Sequence, residues 1–129
     1  MKKHLFQLFL IFLTIHFGCN SPKDPVLLEA FEIHKEAIDI GAKALELCEK
    51  LPANDSMRSQ FRTTLEVWGD NVVEVPGFHY HHDGLGHHHG RTPLNLPPDD
   101  VLIFQKELRD SIKSILDEIQ MYQPAQSRQ

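Results

Sequence analysis

The stretch DPVLLEAFEIHKEAIDIGAKALELCEKLP, running from Asp24 to Pro52, opens on an aspartate and a proline and closes on a second proline. An aspartate accepts hydrogen bonds from the unpartnered N–H groups of a first helical turn. Proline costs nothing at the first helical position, where its missing N–H would have no partner. Between these signals apolar residues recur at Leu27, Phe31, Ile38, Gly41, Leu45 and Cys48, with His34 completing the four-three spacing. A second row runs beside it through Ala30, Ile33, Ala37, Ile40, Ala44, Leu47 and Leu51. Two adjacent rows at this period define a helix with a wide buried face, which needs further helices to cover it.

Downstream, Asn54 or Asp55 caps a second helix with the stripe Met57, Phe61, Leu65, Trp68, Val72 and Val75, stopped by Pro76-Gly77. Trp68 reads as a core anchor. Val72, Val73 and Val75 lose rotamer freedom in a helix, so its last turn is expected to fray into extended chain. Glu66, Asp70 and Glu74, four apart, read as one solvated acidic edge or, less simply, as acid–base groups working with nearby histidines and a metal. Pro97-Pro98-Asp99-Asp100 then opens a third helix, with acidic residues where the helix dipole favours them. Its stripe is Val101, Phe104, Leu108, Ile112, Ile115, Ile119 and Tyr122, and Pro124 begins a polar tail, residues 124–129. A short turn joins the first two helices, which makes them antiparallel neighbours. The predicted fold is all-α: an antiparallel three-helix bundle over residues 25–123, with a long His/Gly/Pro-rich loop, residues 77–98, between helices two and three. The heptad-like spacing also admits a homodimer paired through its helices.

Upstream, Lys2 and Lys3 precede an uncharged run of eleven residues, Leu5 to Ile15. That is the layout of an export signal, and it falls short of the about 20 residues a membrane-spanning helix needs. The run ends in His16-Phe17-Gly18-Cys19, followed by polar Asn20-Ser21-Pro22. This resembles the signals of bacterial lipoproteins, in which a small residue precedes a lipidated cysteine; His16 and Phe17 stand where that pattern usually has an aliphatic and a small residue. The resemblance implies removal of residues 1–18, lipid on Cys19, a tether over residues 19–24, and a location in the cell envelope facing away from the cytoplasm.

The mature piece would carry 11 basic against 18 acidic residues, a charge of −7 with histidines neutral. Such a surface repels nucleic acid and offers no basic patch to anionic lipid, so the lipid on Cys19 carries the membrane attachment. Cys48 would be the remaining thiol. With no internal disulfide framework the core alone holds the domain together, and Cys48 on its apolar stripe reads as a small buried hydrophobe.

The chemistry concentrates in Phe78-His79-Tyr80-His81-His82-Asp83-Gly84-Leu85-Gly86-His87-His88-His89-Gly90, where six of the nine histidines fall within eleven residues. Neutral imidazole is a strong ligand for Zn²⁺, Cu²⁺ and Ni²⁺, and neighbouring imidazoles share the cost of ordering the chain. His79, His81, His82, His87, His88 and His89, with Asp83 as an oxygen donor, are therefore the candidate metal ligands. If Asp83 to Gly86 forms a hairpin turn, His82, His87 and His89 share one face, and His79, His81 and His88 the other. Two plainer readings remain beside this one: a solvated spacer, and a pH-responsive contact whose protonation would take the mature charge from −7 towards zero. His34 reads as a hydrogen-bonded core histidine. No HExxH sequence, nucleophile elbow, phosphate-binding glycine loop or CxxC pair is present, so no enzyme is predicted.

The run from Leu65 to Gly90, with Trp68, Glu74-Val75-Pro76-Gly77-Phe78 and the histidine cluster, followed by an acidic-capped helix, is similar to small His-rich lipoproteins of bacteria. That resemblance covers about half of the chain and implies the helical architecture and the envelope location. It carries no activity across. Two functions follow as expectations: a tethered binder of divalent transition metal, or a structural lipoprotein that pairs through its helices.

Overall fold

The computed structural model describes residues 24–80 and 95–126. Among these residues the chain forms three helices and no strand: α1 Pro25–Glu49, α2 Ser56–Asp70 and α3 Pro98–Gln126. The export signal expected over residues 1–18 and the lipidation expected at Cys19 lie outside the described residues.

The helix ends follow from local chemistry. The Asp24 carboxylate accepts from the Val26 N–H at 2.8 Å, and Pro25 opens α1. At the far end Lys50 N–H bonds Leu47 O and Leu51 N–H bonds Cys48 O, a tighter turn that uses two terminal carbonyls. Asp55 caps α2 by accepting from Met57 N–H at 2.9 Å. Each such cap is worth about 1 kcal/mol. Arg58 fastens the intervening turn: its Nη1 donates to Leu51 O at 3.1 Å and its Nη2 pairs with Glu49.

α2 stops at Asp70, well short of the Pro76-Gly77 signal, and Asn71 caps it, donating its side-chain amide to Val67 O at 2.8 Å. Beyond it residues 72–75 leave the helix, with Val73 and Val75 buried. The β-branched run thus exchanges a poor helical turn for two buried side chains. In consequence Glu66, Asp70 and Glu74 do not share one helical edge: Glu66 pairs with Arg62, while Glu74 lies beyond the end of the helix. At the other end of the domain α3 continues two residues past Pro124, where the tail was expected. Proline's fixed φ is itself helical, and one lost N–H bond in a final turn is tolerable.

α1 packs chiefly against α3. Among the buried positions of α1, Ala30, His34, Ala37, Gly41, Ala44 and Cys48 alternate in steps of four and three, with Ile33 and Ile38 buried beside them, and Leu51 follows at the next step. Those of α3 are Val101, Gln105, Leu108, Ile112 and Ile119 on the same period, with Ile115 and Tyr122 half-buried in the remaining places. Small residues on α1 therefore meet large ones on α3, which lets the two helices approach closely. Side chains bridge the two helices at several levels: Glu29 with Lys106, His34 with Gln105, and farther along both helices Glu36 with Arg109 and Lys113. α2 packs against both. Trp68 donates its indole N–H to Leu108 O at 3.1 Å, Phe61 meets Tyr122 edge-on at 5.8 Å, and the Tyr122 hydroxyl bonds Asp55.

The core divides in two. The larger cluster gathers Ala37, Ile38, Ala44, Cys48, Leu51, Phe61, Leu65, Trp68, Leu108, Ile112 and Ile119. The smaller gathers Ala30, Val75, Phe78 and Val101. The level between them along α1 and α3 belongs to two buried polar side chains, His34 and Gln105.

Candidate functional site

Of the predicted metal ligands, His79 lies among the described residues. His81, His82, Asp83, His87, His88 and His89, and with them the hairpin expected at Asp83 to Gly86, lie outside. Among the described residues no three histidine, cysteine, aspartate or glutamate side chains converge as a metal-holding group. What the structure does define is how the histidine-rich segment is rooted.

The root is the turn Val75-Pro76-Gly77-Phe78. Phe78 N–H donates to Val75 O at 3.0 Å, and Gly77 takes a φ of 79°. Proline in the second place and a positive-φ glycine in the third are the demands of a type II turn, and any side chain at Gly77 would strain it. Both turn ends are buried. Val75 is 1% exposed, and Phe78 stacks on Phe31 of α1 with ring centroids 4.6 Å apart. Phe31 also meets Tyr80 edge-on at 6.4 Å, and Lys35 lies over its ring at 5.2 Å. Tyr80 in turn donates its hydroxyl to Asp39 at 3.2 Å. Partial burial and that bond push the Tyr80 phenol above its ordinary value.

Below the turn, His34 and Gln105 hold the non-helical segment 72–75 from inside. The Gln105 amide donates to Val73 O at 2.9 Å. A carbonyl oxygen only accepts, so the amide oxygen is the end that faces His34 Nδ1, 3.2 Å away. His34 Nδ1 therefore carries a hydrogen and donates it. The expectation of a hydrogen-bonded core histidine is met, and its place is close beneath the root: its ring stacks on the same Phe31 at 6.5 Å.

His79 emerges from the turn with its side chain 76% exposed and its Nδ1 3.1 Å from Glu74 Oε2. Glu74 and His79 thus face each other across the Pro-Gly turn. Sequence reasoning placed Glu74 on a helical edge instead. The signal that could have found the pair is the Pro-Gly turn between them, which brings residues five apart together once the helix has ended before Glu74.

Two other features bear on function, one beside the turn and one at the far end of α1. An open groove of about 660 Å³ beside Tyr80 is lined by Glu32, Lys35, Glu36, Asp39, Ile40 and Lys43, charges of both signs. Cys48 is fully buried and donates to Arg58 O at 3.5 Å; burial pushes its thiol above the ordinary value, as suits an inert core residue.

No family model, curated protein or solved structure is found to match this chain.

Proposed function

We propose that this chain is a membrane-tethered protein of the bacterial cell envelope, related in kind to small His-rich lipoproteins, that binds a divalent transition metal through its histidine-rich segment. The observation that carries the reading is the density of imidazole: six within eleven residues, the first of them, His79, set on a turn anchored to the helical body. The ligand set is His79, His81, His82, His87, His88 and His89, with Asp83 as an oxygen donor, and the ions suited to it are Zn²⁺, Cu²⁺ and Ni²⁺. The body is an antiparallel three-helix bundle, up, down and up. The contact order of α1 with α3 and the pairing of Asp55 and Phe61 with Tyr122 support that arrangement. The protein acts as buffer, carrier or sensor and carries no reaction of its own. Its tether is Cys19, bearing lipid after removal of residues 1–18.

The test is titration of the mature protein, made without a polyhistidine tag, with Zn²⁺, Cu²⁺ and Ni²⁺ in turn. The comparison is a variant with all six segment histidines changed to serine. Wild type is expected to bind at least one ion far more tightly, since neutral imidazole nitrogen is the ligand being removed. Equal, weak binding by both proteins sinks the reading. Mass spectrometry of the native N-terminal peptide checks the tether: an unmodified Cys19 or a retained Met1 refutes it.

A further inference from the structure

Resting on that metal-binding reading, we propose that Glu74 is a positioning residue for His79, accepting a hydrogen bond from Nδ1–H so that Nε2 is the nitrogen presented to the ion. The Nδ1 to Oε2 distance is 3.1 Å, within hydrogen-bonding range. A carboxylate is acceptor-only, so the shared hydrogen resides on Nδ1. A neutral imidazole with its hydrogen there has its lone pair on Nε2. Histidines that bind metal commonly donate their other ring N–H to a carboxylate, which fixes the tautomer and the ring's direction and makes the ligating nitrogen more basic.

The surroundings suit the role. Glu74 lies between two buried residues, Val73 and Val75, at 6% and 1% exposure, and the Val73 carbonyl is held by Gln105. His79 follows Phe78, which is buried on Phe31. The backbone on both sides of the Pro-Gly turn is therefore fixed by packing, and the pair has little more than side-chain rotamers to order. The His79 ring meanwhile stands out in solvent, open to an ion. An isolated exposed pair of this kind contributes little to stability. Its value lies in choosing one of two nitrogens before the ion arrives.

The test uses the full mature protein, uniformly ¹⁵N-labelled, with Glu74→Ala and Glu74→Gln beside wild type. Long-range ¹H–¹⁵N spectra of the metal-free proteins report which His79 nitrogen bears the hydrogen. The Nδ1–H form is expected to dominate in wild type and in Glu74→Gln, whose amide oxygen still accepts, and to lose that dominance in Glu74→Ala. On adding Zn²⁺ the His79 Nε2 resonance should shift as the ligating atom. Affinity should fall about tenfold in Glu74→Ala, the low end of the 10–100-fold cost of such outer partners, and largely recover in Glu74→Gln. An unchanged tautomer in Glu74→Ala overturns the assignment, as does Zn²⁺ ligation through Nδ1 in wild type. The two failures are distinguishable. If wild type binds no more tightly than the six-serine variant, metal binding fails and this role with it. If wild type binds well and Glu74→Ala matches it with the ring unaltered, only the role of Glu74 fails.

Discussion

Gln105 sits 1% exposed in the middle of an apolar seam, and each end of its amide is used: the oxygen accepts from His34 Nδ1 and the nitrogen donates to Val73 O. Removing it leaves a buried donor and a buried acceptor without that partner, each costing about 1–3 kcal/mol. Gln105→Ala should therefore lower unfolding stability by about 2–5 kcal/mol, read from urea denaturation, and should also free the segment through Val73, read as faster amide hydrogen exchange at Val73 to Val75. A loss below about 1 kcal/mol with exchange unchanged would show that the amide is not holding the segment. Cys48 supports a second, smaller prediction. Its thiol is pushed up from the ordinary value of 9.0 by burial, with Glu49 adding to the effect. A thiol with a raised folded-state pKa keeps its hydrogen in the native protein while the unfolded chain loses it. The associated stability is present below the unfolded value and is lost as pH rises from there through the folded value. Wild type should thus lose stability above about pH 9 more steeply than Cys48→Ala, a difference visible in denaturation midpoints taken at pH 8 and pH 10; parallel slopes would contradict the burial of this thiol.

At the scale of the elements, α1 and α3 were largely legible because their pattern is strictly periodic. The seam of α1 draws alternately on both rows seen in the sequence: Ala30, Ala37 and Ala44 from one, His34, Gly41 and Cys48 from the other. Gln105 was passed over for Phe104, because a polar side chain reads as surface; counting four on from Val101 and three back from Leu108 lands on it. At the end of α2 Val72 and Val75 continue the helical stripe in number while their β-branched side chains disfavour the helix; the fraying expected there takes place, and the helix ends at Asp70 rather than running to Pro76-Gly77. Nothing local says that Gln105, thirty-two residues away from Val73, would bond the released backbone. The pairing of Glu74 with His79 needs two signals read together, the end of the helix before Glu74 and the Pro-Gly turn between the partners. The small-to-large character of the seam can itself be tested. Ala37 is 0% exposed, on the heptad step between His34 and Gly41. Ala37→Leu should force α1 from α3 and cost about 1–3 kcal/mol or more, whereas the same change at exposed Ala42 should be near neutral. Equal effects at the two positions, measured by thermal or urea unfolding, would mean that the helices do not meet where the buried alanines place them.

For the whole molecule, the two clusters mark two ends. Ala30, Val75, Phe78 and Val101, with half-buried Leu27 and Phe31, belong to the start of α1; Cys48, Leu51, Phe61 and Ile119 belong to its finish. The turn that carries His79 therefore packs at the end where α1 begins at Pro25. On the proposed lipidation, Cys19 is separated from Asp24 by four residues, each spanning at most about 3.6 Å, so the tether holds that end within roughly 15–20 Å of the headgroups. α1 has 25 residues and is about 37 Å long, which puts the turn between α1 and α2 much farther out if the bundle stands on its tether. A lipidated protein with its buried thiol replaced, Cys48→Ala, accepts a fluorophore at one introduced cysteine. Asn95→Cys, just before α3, probes the tethered end, and Ala53→Cys, in the α1–α2 turn, probes the far end; both positions are exposed. In vesicles carrying a headgroup quencher, the probe at position 95 should be quenched several times more strongly than the probe at 53. With the mature charge at −7, repulsion from anionic vesicles should steepen the contrast at low salt, because the Debye length there exceeds about 10 Å. Equal quenching would show the bundle lying flat on the membrane, and stronger quenching at 53 would place the histidine root away from it; either result removes the argument that the tether sets where the metal is held.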